Sequence, residues 1–533
     1  MPSTFHIENF GCRAARADGE AIAALLRAAD ATEGQPDEAD VVIVNTCSVT
    51  AEADREARAY IRRTNRLNPT TRIIATGCYA QRAPAELASL TGVSAIIGNS
   101  HKALAPEIAL RLMSGDVVST SGEHQLIQIR AAQAGLAPLQ VILADETFAH
   151  SFLEEAPISP GAQTRPNLKI QEGCSNRCSF CVIPQTRGSS RSLAAAAVLS
   201  HVRGFVGAGG NELVLSGINL GRWGRDLAAH NDSARPDGTN FSVEGKNFSL
   251  EGTGFSPYKS SPPRKRVLAP EGESPRTLAD LIRAICEQTN LPRLRLSSIE
   301  PMDWDSDLIA LMAEFGGVRL ARHAHLPLQS GSDSVLRRMH RRYRPWHYAE
   351  KVSALLRAAG PALTLGADVM VGFPGETDRE FQENHEFIRS LPFGYLHLFP
   401  FSPRPGTRAW ALHAASPAPA TVVNERMAAL RSLADEKIHA HRRQFVGTEL
   451  DAITLNTPPA LTSNGRTSAL TGNFLPVELA AVLPANQLVR IRVNRLTAGN
   501  TLLASPVLSA TSTFDSQLEP LASSDQPVLE TAF

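Results

Sequence analysis

The sequence predicts an α/β protein in three parts: an N-terminal parallel α/β domain, a partial (βα)6 barrel, and a small C-terminal β-barrel of the oligonucleotide-binding kind. Three observations carry this expectation. Extended segments alternate with helical ones early in the chain and again beyond Asn167, and strands separated by helices make a parallel sheet with right-handed crossovers. The last fold-like stretch, "FVGTELDAITL" through "NQLVRIRVNRL", has short alternating strands and Gly-bearing turns instead, as small β-barrels do. A length of 533 residues exceeds one ordinary hydrophobic core, so several domains are expected.

In chain order, "STFHIENFGC", "VVIVNTC" and "RIIATGC" are extended and each closes on a cysteine: Cys12, Cys47 and Cys78. Between them lie "DGEAIAALLRAAD", with Ile22, Leu25 and Leu26 at helical spacing, and "TAEADREARAYIRRTNRL", a charged amphipathic helix. Strand ends at the carboxyl edge of a parallel sheet form its ligand crevice, so three thiols distant in sequence can converge there. This domain is assigned to residues 1–117 and a connector to 118–163.

The barrel is assigned to 164–415, with strands in "LKIQEGC", "NELVLSGIN", "RLRLSSIEP", "HAHLPLQSG", "LTLGADVMVGFPG" and "YLHLFPFS". Chemistry in such barrels sits on the loops at the carboxyl mouth. Residues 225–276 lose all periodicity and are rich in Ser, Gly, Asn and Pro, so a disordered insertion is expected. A linking helix (416–443), the small barrel (444–508) and a tail (509–533) complete the chain.

Composition narrows the function. Hydrophobic residues make up 43% and charged residues 20%, and Lys+Arg equals Asp+Glu at 53 each. No global positive field announces nucleic acid, so any such surface must be local. No apolar run of about 18 residues occurs, which predicts a cytoplasmic protein with no membrane partner. Seven cysteines, an odd number, argue against a disulfide framework and for metal or catalytic roles.

"EGCSNRCSFCVIP" places Cys174, Cys178 and Cys181 in a CxxxCxxC spacing after a strand. Three thiolates on one tight loop can each take one iron of a cubane and leave the fourth iron open. A structural zinc loop is the alternative, but it needs a fourth Cys or His nearby, and "SNRCSFCVIPQTRGSSR" supplies none. Cys12, Cys47 and Cys78 also admit a plain reading as core cysteines. Cys286, beside the apolar stripe of "LADLIRAICEQ", is assigned to packing. The histidines form no HExxH-like pair, so no separate zinc site is expected.

With Phe180 before its last cysteine, the loop resembles the signature of the radical S-adenosylmethionine (SAM) superfamily. The resemblance implies a [4Fe–4S] cluster whose open iron binds SAM, which on reduction yields a 5′-deoxyadenosyl radical. "GAGGNELVLSG" resembles the superfamily's glycine-rich strand edge, which would set Gly209, Gly210 and Glu212 near SAM; "DVMVGFPGET" would add Gly372.

Cys12, Cys47 and Cys78 ahead of such a barrel, with a β-barrel behind it, resemble the methylthiotransferase family, whose C-terminal domain is a TRAM domain. That resemblance implies a second [4Fe–4S] cluster on these three cysteines and SAM used both as methyl donor and as radical source. It also implies partners in the form of an unidentified reductant and sulfur source. Beyond the cluster ligands no catalytic residue is assigned. The chain departs from the family at Ala15 and Ala17, where polar residues are usual.

"NTCSVTAEADREARAYIRR", "RLRLSSIEP" and "HLPLQSGSDSVLRRMHRRY" are most similar to the branch acting on N6-threonylcarbamoyladenosine beside the tRNA anticodon. A ribosomal-protein aspartate as substrate, and a non-catalytic iron–sulfur RNA-binding protein, are the alternatives. Arg337, Arg338, Arg341 and Arg342, with Tyr343, suit phosphate and base contacts, as do Arg490 and Arg492, alternating on one strand face. A solvated surface is the rival reading of both sets.

Overall fold

The computed structural model describes residues 3–114, 141–148, 164–227 and 275–507, with residues 151, 152, 156 and 158. The expected insertion, apart from its two ends, and the expected tail lie outside the described residues.

The N-terminal sheet contains β1 (Thr4–Asn9), β2 (Thr32–Glu33), β3 (Val41–Thr46), β4 (Arg72–Gly77), β5 (Val93–Gly98) and β6 (Val141–Leu143). Its order is β2-β1-β3-β4-β5-β6, and every pairing is parallel. β3 is buried throughout, and its sequence explains why. Val41 and Ile43 face Ile22 and Leu26 of helix α1 (Arg13–Ala28), whereas Val42 and Val44 face Ile61 of helix α2 (Ala51–Leu67). A strand covered on both faces reads as a continuous apolar run. Ile22 and Leu26 are fully buried, worth roughly 1.5–3 kcal/mol each. Helix α2 starts where Thr50 accepts a 3.2 Å hydrogen bond from the Ala53 N–H. β6 comes from the stretch expected to be a connector, and it completes this sheet.

Six parallel strands form the barrel: β7 (Asn167–Glu172), β9 (Glu212–Gly217), β10 (Arg293–Leu296), β11 (His323–His325), β12 (Thr364–Val371) and β13 (Phe393–Pro400); β8 (Arg191–Ser192) is an antiparallel edge on β7. The sheets β10-β9-β7-β8 and β11-β12-β13 are joined by Ile299 N–H to His325 O at 3.0 Å and Ala321 N–H to Leu294 O at 2.9 Å. Leu213, Leu215, Leu294, Leu296, Ala367, Val369 and Val371 alternate along these strands and share one apolar core with the outer helices. The opposite face carries Glu212, Arg295, His323, His325, Asp368, Tyr395 and His397, where a filled barrel would be apolar.

The helix Ala420–Arg443 returns along β13, with His441 Nε2 2.9 Å from Thr364 Oγ1. It leads into a closed barrel of β14 (Glu449–Thr454), β15 (Thr467–Thr471), β16 (Pro476–Leu479), β17 (Leu488–Leu496) and β18 (Leu502–Pro506), in the order β14-β15-β16-β18-β17. Ala452, Val477, Leu479, Ile491, Val493 and Leu502 fill it. Among the described residues no helix is long and apolar enough to cross a membrane.

Candidate active site

β1, β3 and β4 end side by side, with Asn9 opposite Asn45 and Thr46 opposite Gly77. The chain leaves these three ends onto Cys12, Cys47 and Cys78. Gly11 and Gly77 have φ of +102° and +97°, and a Cβ on Gly11 would stand 2.5 Å from Cys47 Sγ. The glycine before the cysteine is therefore what lets the first strand's exit pass against its neighbour's thiol. Burial, and then Cys78 and Cys12, push the Cys47 thiol up to about 12, so the three sulfurs share one locality. Cys78 Sγ accepts from Asn99 Nδ2 and Arg187 Nε, both at 3.3 Å, and Cys47 Sγ accepts from the Val49 N–H at 3.5 Å. N–H donors aimed at sulfur are what iron-bound thiolates use. Ala15 is buried and its carbonyl accepts from Asn45 Nδ2, so position 15 contributes its backbone to the end of β3.

The second trio follows β7. Cys174 Sγ accepts from the Asn176 N–H at 3.4 Å and from Asn219 Nδ2 at 3.8 Å, and Cys178 Sγ accepts from Arg341 Nη1 at 3.3 Å. Arg341 is fixed by both oxygens of Glu300 at 2.7 Å. Burial pushes the Cys181 thiol up to about 12, with Cys178 and Cys174 adding to it. Phe180 is half-buried against the barrel core. In neither trio do all three sulfurs lie within 4.8 Å of one another, a spacing looser than the ligands of one ion take. Thiols on three separate irons of a cubane also stand farther apart than the ligands of one ion, so this spacing is compatible with such a group.

The two trios meet at one interface. The short helix Ile183–Arg187, just after Cys181, ends in Arg187, which is fully buried and donates to Cys78 Sγ, to Glu172 at 2.7 Å and to Asp18 at 3.3 Å. Asn99 Nδ2 bonds Thr186 O at 2.8 Å as well as Cys78 Sγ. Lys102 and Lys169 close on Asp18 from the two domains. A buried ion network of this kind fixes a docking geometry more than it adds stability.

Below this interface lies the polar inner face of the barrel. Tyr395 Oη reaches across Gly366, where a Cβ would come within 2.3 Å of it, to His323 Nε2 at 2.8 Å. Phe474, from the β15–β16 hairpin, stacks on His323 with ring centroids 4.3 Å apart and lies 5.3 Å from the Arg295 guanidinium. His325 Nε2 and His397 Nδ1 stand 3.3 and 3.4 Å from Asp368 Oδ1. Burial pushes Asp368 up, but these two histidines outweigh it and hold the carboxyl below its usual range. Among the described residues, these are the three whose ligand atoms all fall within 4.8 Å.

Several expected site residues lie elsewhere. Gly209 and Gly210 cap the helix before β9, and Glu212 begins that strand, so all three sit at the amino end of the barrel, opposite the cysteine loop. Gly209 O accepts from Asn486 Nδ2 of the small barrel at 2.9 Å, and a Cβ on Gly210 would meet the Phe205 ring at 2.2 Å. Glu212 is buried and held by Arg295 at 2.8 Å, Arg293 at 3.3 Å and Arg165 at 3.6 Å. Contact with SAM is thus corrected to a structural role for these three. Gly372, by contrast, follows the carboxyl end of β12, at the same mouth as the cysteines.

Arg341 and Tyr343 are buried, and Tyr343 Oη donates within the barrel to the carbonyls of Pro327 and Leu328. They cannot face RNA; Arg341 serves Cys178 instead. Arg338 is tied to Glu380 at 2.7 Å, and Arg342 lies 3.7 Å from Asp303. Arg337, Arg490 and Arg492 are exposed, each beside an acidic partner. Cys286 is buried as expected. Arg187, Asn99 and Asn219 were not anticipated, although Arg187 follows Cys181 in the same short segment and that proximity was the available signal.

A profile described as uncharacterized protein family UPF0004 matches residues 4–98, and the radical SAM superfamily profile matches residues 266–388. Threonylcarbamoyladenosine tRNA methylthiotransferase MtaB of Bacillus subtilis is 31% identical over 85% of this chain and 84% of its own length. The protein of that name from Aquifex aeolicus is 29% identical over 80% and 87%. The tRNA-2-methylthio-N(6)-dimethylallyladenosine synthase of Parafrankia sp. is 30% identical over 88% and 80%.

Proposed function

The chain belongs to the radical SAM methylthiotransferase family, and from that membership we infer that it transfers a methylthio group to C2 of N6-threonylcarbamoyladenosine next to the anticodon of tRNA. The observation that carries this reading is Arg187, which leaves the loop of Cys174, Cys178 and Cys181 to bond the sulfur of Cys78. A buried side chain six residues beyond Cys181 thus bonds a sulfur of the other trio, and in this reading the two sets serve one space. Sulfur insertion needs that arrangement, because radical and sulfur donor must reach the same carbon. The relatives reported act, by their names, on tRNA adenosine derivatives; the ribosomal-protein and non-catalytic alternatives have no such support.

Cys174, Cys178 and Cys181 are the proposed ligands of the SAM-binding [4Fe–4S] cluster, and Cys12, Cys47 and Cys78 those of the auxiliary one. When bound, these groups supply a carbon radical generator and a site for the sulfur to be methylated. The chain's own residues orient and shield. Arg341, locked by Glu300, holds Cys178, while Arg187 and Asn99 hold Cys78. The buried charges around Asp18 seal the seam between the domains, and Phe474 closes the inner face from the small barrel. Keeping water out protects a reactive radical. Arg337, Arg490 and Arg492 remain candidates for tRNA phosphates, which position RNA without reading it. An electron must start each SAM cleavage and the transferred sulfur atom must be replaced, so a reductant and a sulfur source are required partners, and the substrate places the protein in the cytoplasm.

Nucleoside analysis of tRNA from a strain lacking this gene, and no redundant enzyme, tests the reading. The 2-methylthio derivative of threonylcarbamoyladenosine disappears and returns with the wild-type gene; its persistence at normal level defeats the assignment.

A further inference from the structure

Arg13 is the first residue of α1 and directly follows Cys12. A cation is misplaced there, because the positive end of the helix dipole repels it. Its guanidinium makes no hydrogen bond or ion pair among the described residues; its contacts are the Phe474 ring, 5.9 Å from Cζ, and the fields of Tyr395, Arg295 and Asp368. The side chain is exposed and stands beside Phe474, whose ring centroid is 4.3 Å from that of His323 and 5.3 Å from that of Tyr395, so it borders the polar inner wall.

The wall it faces is short of partners too. Arg295 Nη1 and His323 Nδ1 are buried without a hydrogen bond. Unpaired buried polar atoms are costly, and two on one face point to a ligand. The charge has a sign: Arg165, Arg293 and Arg295 pair with Glu212, and Arg13 adds a fourth cation on the side of Asp368. His323 is held neutral by burial and by Arg295, so it does not alter the balance.

We propose that Arg13, with the Asp368–His397 pair and Tyr395, forms the subsite for the N6 substituent of the target adenosine, and that Arg13 binds its carboxylate. The claim rests on the threonylcarbamoyl reading of the substrate given above and adds how the substituent is told from an uncharged one. A threonylcarbamoyl group carries a carboxylate, a hydroxyl and a urea; the wall offers a free guanidinium, an acceptor in Asp368 and the polar tips of His397 and Tyr395. An apolar N6 substituent would leave Arg13 unpaired, which is how a charged site rejects a neutral analogue. The carboxylate of SAM and a tRNA phosphate share this anionic chemistry, so the test separates the three.

Binding of the reconstituted holoenzyme is measured for three anticodon stem-loop RNAs, bearing threonylcarbamoyladenosine, its methyl ester or plain adenosine, with SAM affinity and iron content followed alongside. The wild type binds the acid at least about tenfold more tightly than the ester. Arg13→Gln abolishes that difference while leaving ester binding, SAM affinity and iron unchanged, and Arg13→Lys restores part of it. His397→Ala, at an exposed position, weakens both modified RNAs but not plain RNA. Undiminished discrimination in Arg13→Gln overturns the proposal, as does equal wild-type binding of acid and ester. A uniform loss on all three RNAs makes Arg13 a phosphate contact, and a selective loss of SAM affinity makes it a SAM contact; both overturn it. One equivalent of zinc or iron beyond the clusters, lost in His397→Ala, overturns it in favour of a metal at His325, Asp368 and His397. Turnover of the acid RNA by the same wild-type preparation shows separately whether the substrate reading holds.

Discussion

Cys174, Cys178 and Cys181 come from one loop after one strand, whereas Cys12, Cys47 and Cys78 are gathered from the ends of three strands. The first set is shaped by local turns and draws from elsewhere on Arg341 and Asn219 for its sulfurs and on Met339 and Ala409 for the backbone of Ser179. The second depends on the register of β1, β3 and β4 and on a side chain lent by the barrel. A one-residue slip in that register would turn a thiol to the wrong face. The difference teaches where each site is fragile: the loop to changes within itself, the dispersed trio to changes in sheet geometry and domain docking.

The largest effects come from the ligands. Cys47→Ser and Cys178→Ser each abolish methylthiolation, and each lowers iron from about eight to about four per chain. Cleavage of SAM to 5′-deoxyadenosine survives in Cys47→Ser and vanishes in Cys178→Ser. Loss of cleavage in both would erase the distinction between the trios.

Arg187→Gln comes next. It removes one of the buried cations shared by Glu172 and Asp18, whose partners Lys169 and Lys102 remain, and takes a donor from Cys78, a change expected to cost about 1.5–3 kcal/mol. Thermal unfolding shows the loss, and the auxiliary cluster is depleted before the other. Arg341→Gln has the mirror effect at the radical loop and a smaller one on stability, because Glu300 keeps some contact with water. Gly11→Ala sets a Cβ against Cys47 at a positive φ, a strain of about 1–3 kcal/mol, and lowers auxiliary iron alone.

The smallest effect touches neither trio. Burial, with Arg442 adding, lowers His441 to about 4. The unfolded chain takes up that proton first, so stability contributed by neutral His441 is full above pH 6.5 and drains away as pH falls toward 4. Between pH 7.5 and pH 6 the loss is about 1 kcal/mol, and His441→Gln flattens it. Acid that released one cluster selectively would place the sensitivity at a trio and not at the helix Ala420–Arg443.

The sequence made the thiols and the strand–helix alternation legible because both are local patterns. β6 was hidden in a stretch without periodicity. Gly209, Gly210 and Glu212 were assigned to the wrong end of the barrel, although their place before "LVLSG" puts them at the strand's start. Arg341 and Tyr343 sat in an arginine-rich run that reads as surface; only the fold shows that Glu300 and Cys178 draw Arg341 inward. The inner wall was visible as alternate polar residues in "HAHLP", "GADVM" and "YLHLF", but strand periodicity alone does not say that the polar face turns toward the barrel axis.

Electron paramagnetic resonance of the reconstituted, fully reduced protein examines most directly whether both trios open onto one space. Two clusters sharing that space broaden each other's signals, and the broadening is absent from Cys47→Ser and Cys178→Ser. A wild-type spectrum equal to the simple sum of the two single-cluster spectra would contradict the account.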